Sequence, residues 1–209
     1  MKKLLVILAL ALVPVLPAQT LTLSATAKGV AIDGGTTGLL VLSAPVITGS
    51  DGKSRTPVLT PAADGASATA VYADGFTIKI TFSQKDGEAI YSFDHPPVGA
   101  KSLVITTPLD LYYNEGGTYA VNGGEPKLFP AEKDKQLFAQ GAFTQLDIRN
   151  GSGAGFSLQM PESYQQLQDN RVWGTQSFAW IYHYDFLRYP EATGFTIKAA
   201  LLKPVPAKK

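Results

Sequence analysis

The stretch Phe76-Thr77-Ile78-Lys79-Ile80-Thr81-Phe82 decides the fold. Phe76, Ile78, Ile80 and Phe82 are apolar, and Thr77, Lys79 and Thr81 between them are polar, a strict period of two. Successive side chains of a strand point to opposite faces, so the segment reads as a strand with one buried and one wet face. It lies between Asp74-Gly75 and Asp86-Gly87. Such dipeptides supply the positive backbone φ that tight hairpins need, so the strand is expected to reverse direction at both ends.

The same two signals recur outward from this stretch. Asp-Gly also stands at 33–34, 51–52 and 64–65, and Asn-Gly at 122–123 and 150–151. The Asp-Gly pairs that begin at 51, 64, 74 and 86 are 13, 10 and 12 residues apart, the interval of strand-turn-strand repeats in an antiparallel sandwich or barrel. Asp51, Asp64, Asp74 and Asp86 lack the neighbouring carboxylates of a calcium cage and are read as turn residues. Residues 20–28 alternate as well, and further strands are read at 39–47, 68–73, 89–93, 102–107, 111–114, 143–149, 156–160, 177–186 and 195–202. The expectation is all-β: an antiparallel β-sandwich, a jelly roll or large sandwich of roughly 10–13 strands. One or two short helices are expected at 130–138 and 161–169, the second with Pro161 at its first helical position.

Composition narrows the class. The 209 residues are 45% hydrophobic and 17% charged, with no Cys, which excludes a disordered chain, a disulfide scaffold, thiol catalysis and thiol lipidation. A formal charge of +1 gives no footprint for nucleic acid. Lys2 and Lys3 precede an apolar run from Leu4 to Leu16 that is broken by Pro14. The run is shorter than the roughly 20 residues of a membrane helix, so it reads as a secretory signal. Cleavage is expected after Ala18; the other small-x-small site, Ala25-Thr26-Ala27, lies inside an alternating strand. Loss of Lys2 and Lys3 takes the charge to −1.

The expected organisation is a signal peptide at 1–18, one β-sandwich domain at 19–202 and a flexible tail at 203–209. The protein is expected to be exported, periplasmic or extracellular, with no membrane span after cleavage. Without disulfides its stability must come from burial, and a domain of this size buries roughly 70% of its unfolded surface. An outer-membrane barrel would need strands of about ten residues with an apolar outer band. Most segments here are shorter, and the chain ends in lysines.

Residues 173–189, WGTQSFAWIYHYDFLRY, hold both tryptophans. In an extended strand Phe178, Trp180, Tyr182, Tyr184 and Phe186 share one face and Ala179, Ile181, His183 and Asp185 the other. Rings in a row suit the filling of a core and also the stacking of sugar faces. The ligand reading takes Trp173, Trp180, Tyr182, Tyr184 and Tyr189 with Arg171 and Arg188, and adds Tyr112 and Tyr113 from the polar loop 112–125. That loop opens a stretch, 114–130, whose Gly116, Gly117, Gly123, Gly124, Pro126 and Pro130 mark a long excursion or a pair of short edge strands.

Catalytic signatures are weak. The two histidines are His95 and His183; His183 with Asp185, and Asp94 with His95, match no recognised metal-ligand spacing, so no metal and no cofactor is expected. Gly151-Ser152-Gly153-Ala154-Gly155 has its serine in the wrong place for a nucleophile elbow and lacks the lysine of a phosphate loop. Glu115, Glu125, Glu162, Asp169 and Asp185 are scattered rather than paired for glycoside hydrolysis. A lyase would draw on Tyr182 and His183 with Arg171 or Arg188. No catalytic residue is assigned.

In architecture alone the chain resembles the noncatalytic β-sandwich modules of exported bacterial polysaccharide-handling proteins. The leading expectation is an exported, non-catalytic binding protein whose partner is a polysaccharide or oligosaccharide. A structural or assembly module of the bacterial cell envelope, with another envelope protein as partner, is the first alternative. A polysaccharide lyase or hydrolase is the second.

Overall fold

Tight turns at the Asp-Gly and Asn-Gly dipeptides set the layout. The computed structural model describes residues 20–73, 75, 77–93, 99–109, 113, 116–133, 136–175, 177–188 and 195–204. Asp86 and Gly87 take φ of 53° and 81°, and Asn122 and Gly123 take 51° and 68°. This is the mirror-image turn whose twist matches that of two paired strands. Asp64 Oδ1 instead accepts from the backbone of Ala66 at 2.9 Å and Ser67 at 3.0 Å, so its carboxylate is consumed inside its own turn. The proposed signal at 1–18, the Asp94-His95 pair, Tyr112, Tyr189 and residues 205–209 lie outside the described residues.

The first half is built of hairpins, interrupted where β3 passes to β4 and β5 to β6: β1 (Thr22–Thr26), β2 (Gly29–Asp33), β3 (Leu39–Ser43), β4 (Val46–Gly49), β5 (Ser54–Arg55), β6 (Val58–Pro61), β7 (Ser67–Val71), β8 (Thr77–Lys85) and β9 (Glu88–Phe93). Then come β10 (Ala100–Leu109), β11 (Thr118–Val121), β12 (Lys127–Leu128), β13 (Leu137–Arg149), β14 (Gly155–Asp169), β15 (Phe178–Asp185) and β16 (Phe195–Leu202). All pairings between them are antiparallel. The expected all-β antiparallel fold is what forms. Strands among the described residues number sixteen, more than expected because two-residue strands such as β5 and β12 are too short to alternate visibly. Residues 39–47 split into β3 and β4 around Ala44-Pro45, since proline has no N–H to donate to a ladder.

Neither expected helix is found among the described residues. Residues 161–169 are the second half of β14, and of the described part of 130–138, residues 131–133 and 136 are bends and 137–138 open β13. Described helical structure is limited to short 3-10 turns such as Gly35–Thr37 and Asn170–Trp173. The cause is a bulge. Gln145 pairs with Gln159 but Phe143 with Ser163, so Met160, Pro161 and Glu162 of β14 face Thr144 alone on β13. Before the bulge Phe156, Leu158 and Met160 point inward; after it Ser163, Gln165, Leu167 and Asp169 do. The phase of the strand flips, so its alternation breaks at Pro161.

This bent hairpin hinges two layers. The second half of β14 pairs with β15, and β10, β3, β2 and β1 follow. The first half pairs with β16, and β9, β8, β7 and β6 follow. At the far edge β1 packs against β6 and β8, so the sheet wraps nearly into a barrel. The inner faces close on one apolar core, with Leu40, Leu103, Ile105 and Trp180 from one layer and Phe156, Leu158, Ile80 and Ile197 from the other. On β8 the wet side carries Thr77 and Lys79, and Ile78, Ile80 and Phe82 are buried, as their alternation requires.

Candidate functional site

The aromatic strand β15 faces inward. Phe178, Trp180 and Tyr182 are fully buried and Tyr184 is 3% exposed, so no ligand reaches the ring faces of Trp180, Tyr182 or Tyr184 in this fold. That corrects their assignment as a binding platform. The polar tips of Trp180 and Tyr182 instead satisfy side-chain and backbone groups at the β13–β14 bulge. Tyr182 Oη donates to the Pro161 carbonyl at 2.9 Å, Trp180 Nε1 donates to Gln165 Oε1 at 2.8 Å, and Gln165 Nε2 donates to the Phe143 carbonyl at 2.6 Å. A bulge strands carbonyls inside the protein, and buried carbonyls need partners.

Arg171 is also structural. Its guanidinium grips the fully buried carboxylate of Asp169 (Nε to Oδ1 2.8 Å, Nη2 to Oδ2 2.7 Å), donates to the Pro130 carbonyl at 2.7 Å and lies 4.6 Å over the Phe178 ring. Burial pushes the Asp169 carboxyl upward, but the Arg171 hydrogen bonds and charge more than offset this and hold it below its ordinary range. Arg188 is exposed in the turn after β15, its backbone N–H donating to Asp185 Oδ1 at 3.3 Å. Tyr113 is fully buried, 6.1 Å from Phe129. Of the described aromatic candidates only Trp173 is exposed, at 56%, on the 3-10 turn between β14 and β15.

His183 sits on the outer face of β15, its ring 5.7 Å from that of Tyr164. Ser163 Oγ donates to its carbonyl, its Nε2 is buried without a partner, and desolvation pushes its pKa down. Arg171 belongs to the other end of β15, about 16 Å of strand away, so the structure does not bring the two together. Asp185, two residues along, is occupied by the Leu187 and Arg188 N–H groups. Among the described residues no three His, Asp or Glu side chains converge as a metal set.

What the structure does assemble is a cleft of about 590 Å³ where the β11–β12 hairpin meets the first half of β13. Tyr119, Phe138 and Phe143 form its aromatic floor, and Glu125, Lys127 and Gln140 supply polar groups. The floor is the margin of a larger cluster: Phe138 lies 5.3 Å from Tyr119, 5.6 Å from Phe129 and 5.4 Å from Phe178. Burial pushes the Tyr119 pKa up, and its hydroxyl donates to the Phe138 carbonyl at 3.4 Å. Asn122, at the hairpin turn, locks the cleft's end by accepting from the Thr144 N–H at 2.9 Å and the Gln145 N–H at 3.2 Å. Part of the 112–125 loop therefore does line the cleft, through Tyr119 and Glu125 rather than through Tyr113.

Gln140 links the cleft to the outer face of the first layer. Gln168 Nε2 donates to Gln166 Oε1 at 2.9 Å, Gln166 Nε2 to Tyr164 Oη at 3.0 Å, and Tyr164 Oη to Gln140 Oε1 at 2.8 Å. Reading 161–169 as a helix hid this row. The visible signal was Tyr164, Gln166 and Gln168 at alternate positions.

No family model matches the chain, and no curated protein matches it. Among solved structures it is similar to the α-N-acetylgalactosaminidase NagBb from Bifidobacterium bifidum, determined as a GalNAc complex, with a TM-score of 0.52 at 8% identity. The likeness is one of fold. It covers 88% of this chain and 35% of the enzyme's, so this chain spans about a third of that protein's length.

Proposed function

We propose that this protein is an exported, non-catalytic β-sandwich module that binds carbohydrate in the cleft between the β11–β12 hairpin and β13. The observation that carries the reading is the pairing of an aromatic floor, Tyr119, Phe138 and Phe143, with polar groups at Gln140, Glu125 and Lys127. Sugar rings present apolar C–H faces and hydroxyl edges, so a site for them needs both kinds of surface close together. Likeness of fold to part of an enzyme solved with a bound sugar supports the same reading. The basic and apolar run at 1–18 supports export.

The test is calorimetric titration of the protein with a panel of polysaccharides and their oligosaccharides. Gln140 and Lys127 are exposed, so Gln140→Ala and Lys127→Ala should stay folded. Each should weaken binding of the recognised glycan by about tenfold or more, about 1.4 kcal/mol. No binding across the panel, or binding untouched by both variants, overturns the assignment. The envelope-assembly reading is favoured by one separate observation, the exposed apolar pair Val172 and Trp173 at 38% and 56%. Under that reading Trp173→Ala disrupts a protein complex and leaves glycan titrations unchanged.

A further inference from the structure

Beyond Gln140, the row continues through Tyr164, Gln166 and Gln168, which the cleft itself does not use. Resting on the carbohydrate reading above, we propose that this row extends the cleft into a track for a neutral, unbranched glycan chain, lying across the outer face of β13 and β14.

Three features of the row support this. The first is its length. Tyr164, Gln166 and Gln168 alternate along one face of β14, so they span about 14 Å of strand, more than one sugar ring occupies. Gln140 stands beside Gln166 on β13 and also lines the cleft, so the two surfaces are continuous.

The second is chemical. Side-chain amides and the phenol both donate and accept, as sugar hydroxyls do. The row contains no carboxylate and no cation. At its cleft end Glu125 and Lys127 carry opposite charges. Arg171, the guanidinium suited to clamping a uronate or sulfate, is committed to Asp169 at the other side of the strand. His183, which touches the Tyr164 ring, is kept towards its neutral form by desolvation. The surface therefore matches uncharged sugars.

The third is pre-organisation. Each hydrogen bond in the row runs the same way, from Gln168 to Gln166 to Tyr164 to Gln140. Bonds aligned in a chain polarise one another and hold the side chains in place before a ligand arrives. The Tyr164 ring, 42% exposed and propped against His183, offers an apolar face in the middle of the polar row. A ring set among amides offers a pyranose chain both an apolar face and hydrogen-bonding groups.

The experiment titrates the protein with neutral cello-, laminari-, manno- and galacto-oligosaccharides from disaccharide to hexasaccharide, and with oligogalacturonates as charged controls. In at least one neutral series affinity should rise by about tenfold or more from disaccharide to hexasaccharide. Tyr164→Ala should abolish that gain, and Tyr164→Phe, which keeps the ring but breaks the row at its hydroxyl, should retain only part of it. Oligogalacturonates should bind more weakly than the neutral series. Disaccharide binding with no gain in length, a gain that survives Tyr164→Ala, or a preference for oligogalacturonate overturns the track while leaving the cleft assignment standing. Absence of binding at every length overturns both.

Discussion

Trp180 Nε1 donates to Gln165 Oε1 at 2.8 Å, with both residues fully buried between the layers. Gln165 in turn donates to the carbonyl of Phe143, the last paired residue of β13 before the β13–β14 bulge. One amide thus bridges the largest side chain of the core and the point where the sheet folds over.

Trp180→Phe removes ring volume and leaves a buried amide oxygen unpaired. The unpaired acceptor alone costs about 1–3 kcal/mol, and the lost ring atoms add to this. Gln165→Leu strands both the indole N–H and the Phe143 carbonyl and should cost as much. The double variant should be less destabilised than the sum of the two, since each single change already breaks the shared bond. Urea unfolding of the four proteins checks this; strict additivity would show that the bond contributes nothing.

How much of this was legible in the sequence depends on locality. Thr77 to Phe82 reads correctly because over those residues one face of β8 is dry and the other faces outward. The faces of β15 are equally plain, yet alternation cannot say which face is buried, so Trp180, Tyr182 and Tyr184 were eligible for either role. The second half of β14 escapes the pattern because the bulge at Met160, Pro161 and Glu162 reverses the phase in mid-strand, so the alternation legible at 156–160 does not continue into 163–169. The cleft was invisible for another reason. Tyr119 meets Phe138 and Phe143 only because β11 pairs with the far half of β13, a contact that no local pattern encodes.

The Asp169–Arg171 pair makes an acid-stability prediction. Asp169 titrates below its ordinary 3.8 in the folded protein, so the folded state binds fewer protons than the unfolded chain around that value. Its stabilisation is therefore fully present above the unfolded value and is withdrawn as pH falls through about 4 toward the folded one. Arg171→Ala leaves a buried carboxylate uncompensated and should cost about 3–5 kcal/mol near neutral pH. In Asp169→Asn the slope of stability against pH below about 4 should flatten. An unchanged acid limb in that variant would show that other carboxylates govern acid unfolding.

Tyr91 carries the opposite expectation, a substitution that stabilises. It is 1% exposed, and its hydroxyl is buried with no hydrogen-bond partner among the described residues. Burial also pushes its pKa far up, with the Tyr72 hydroxyl adding to the effect, so the group is a neutral, desolvated phenol in apolar surroundings. An unsatisfied buried hydroxyl costs about 1–3 kcal/mol relative to a paired one. Tyr91→Phe keeps the ring and deletes the orphan, so it should unfold at equal or higher urea than the parent with an unchanged m-value. A clear loss of stability would indicate that an internal water partners the hydroxyl.

The two tryptophans occupy opposite environments, which makes emission a direct check on which way β15 faces. Trp180 is fully buried and bonded to Gln165, whereas Trp173 is 56% exposed on a turn braced by Asp169, whose side chain accepts from the Arg171 N–H at 3.0 Å. The parent should therefore show two emission components, one red-shifted and quenched by iodide or acrylamide, the other blue-shifted and shielded. Trp173→Phe should remove the quenchable component and barely change stability, because exposed positions tolerate substitution within about 0.5 kcal/mol. If emission in Trp173→Phe remained open to iodide, Trp180 would be reachable from solvent, and the aromatic face of β15 would return as a binding surface.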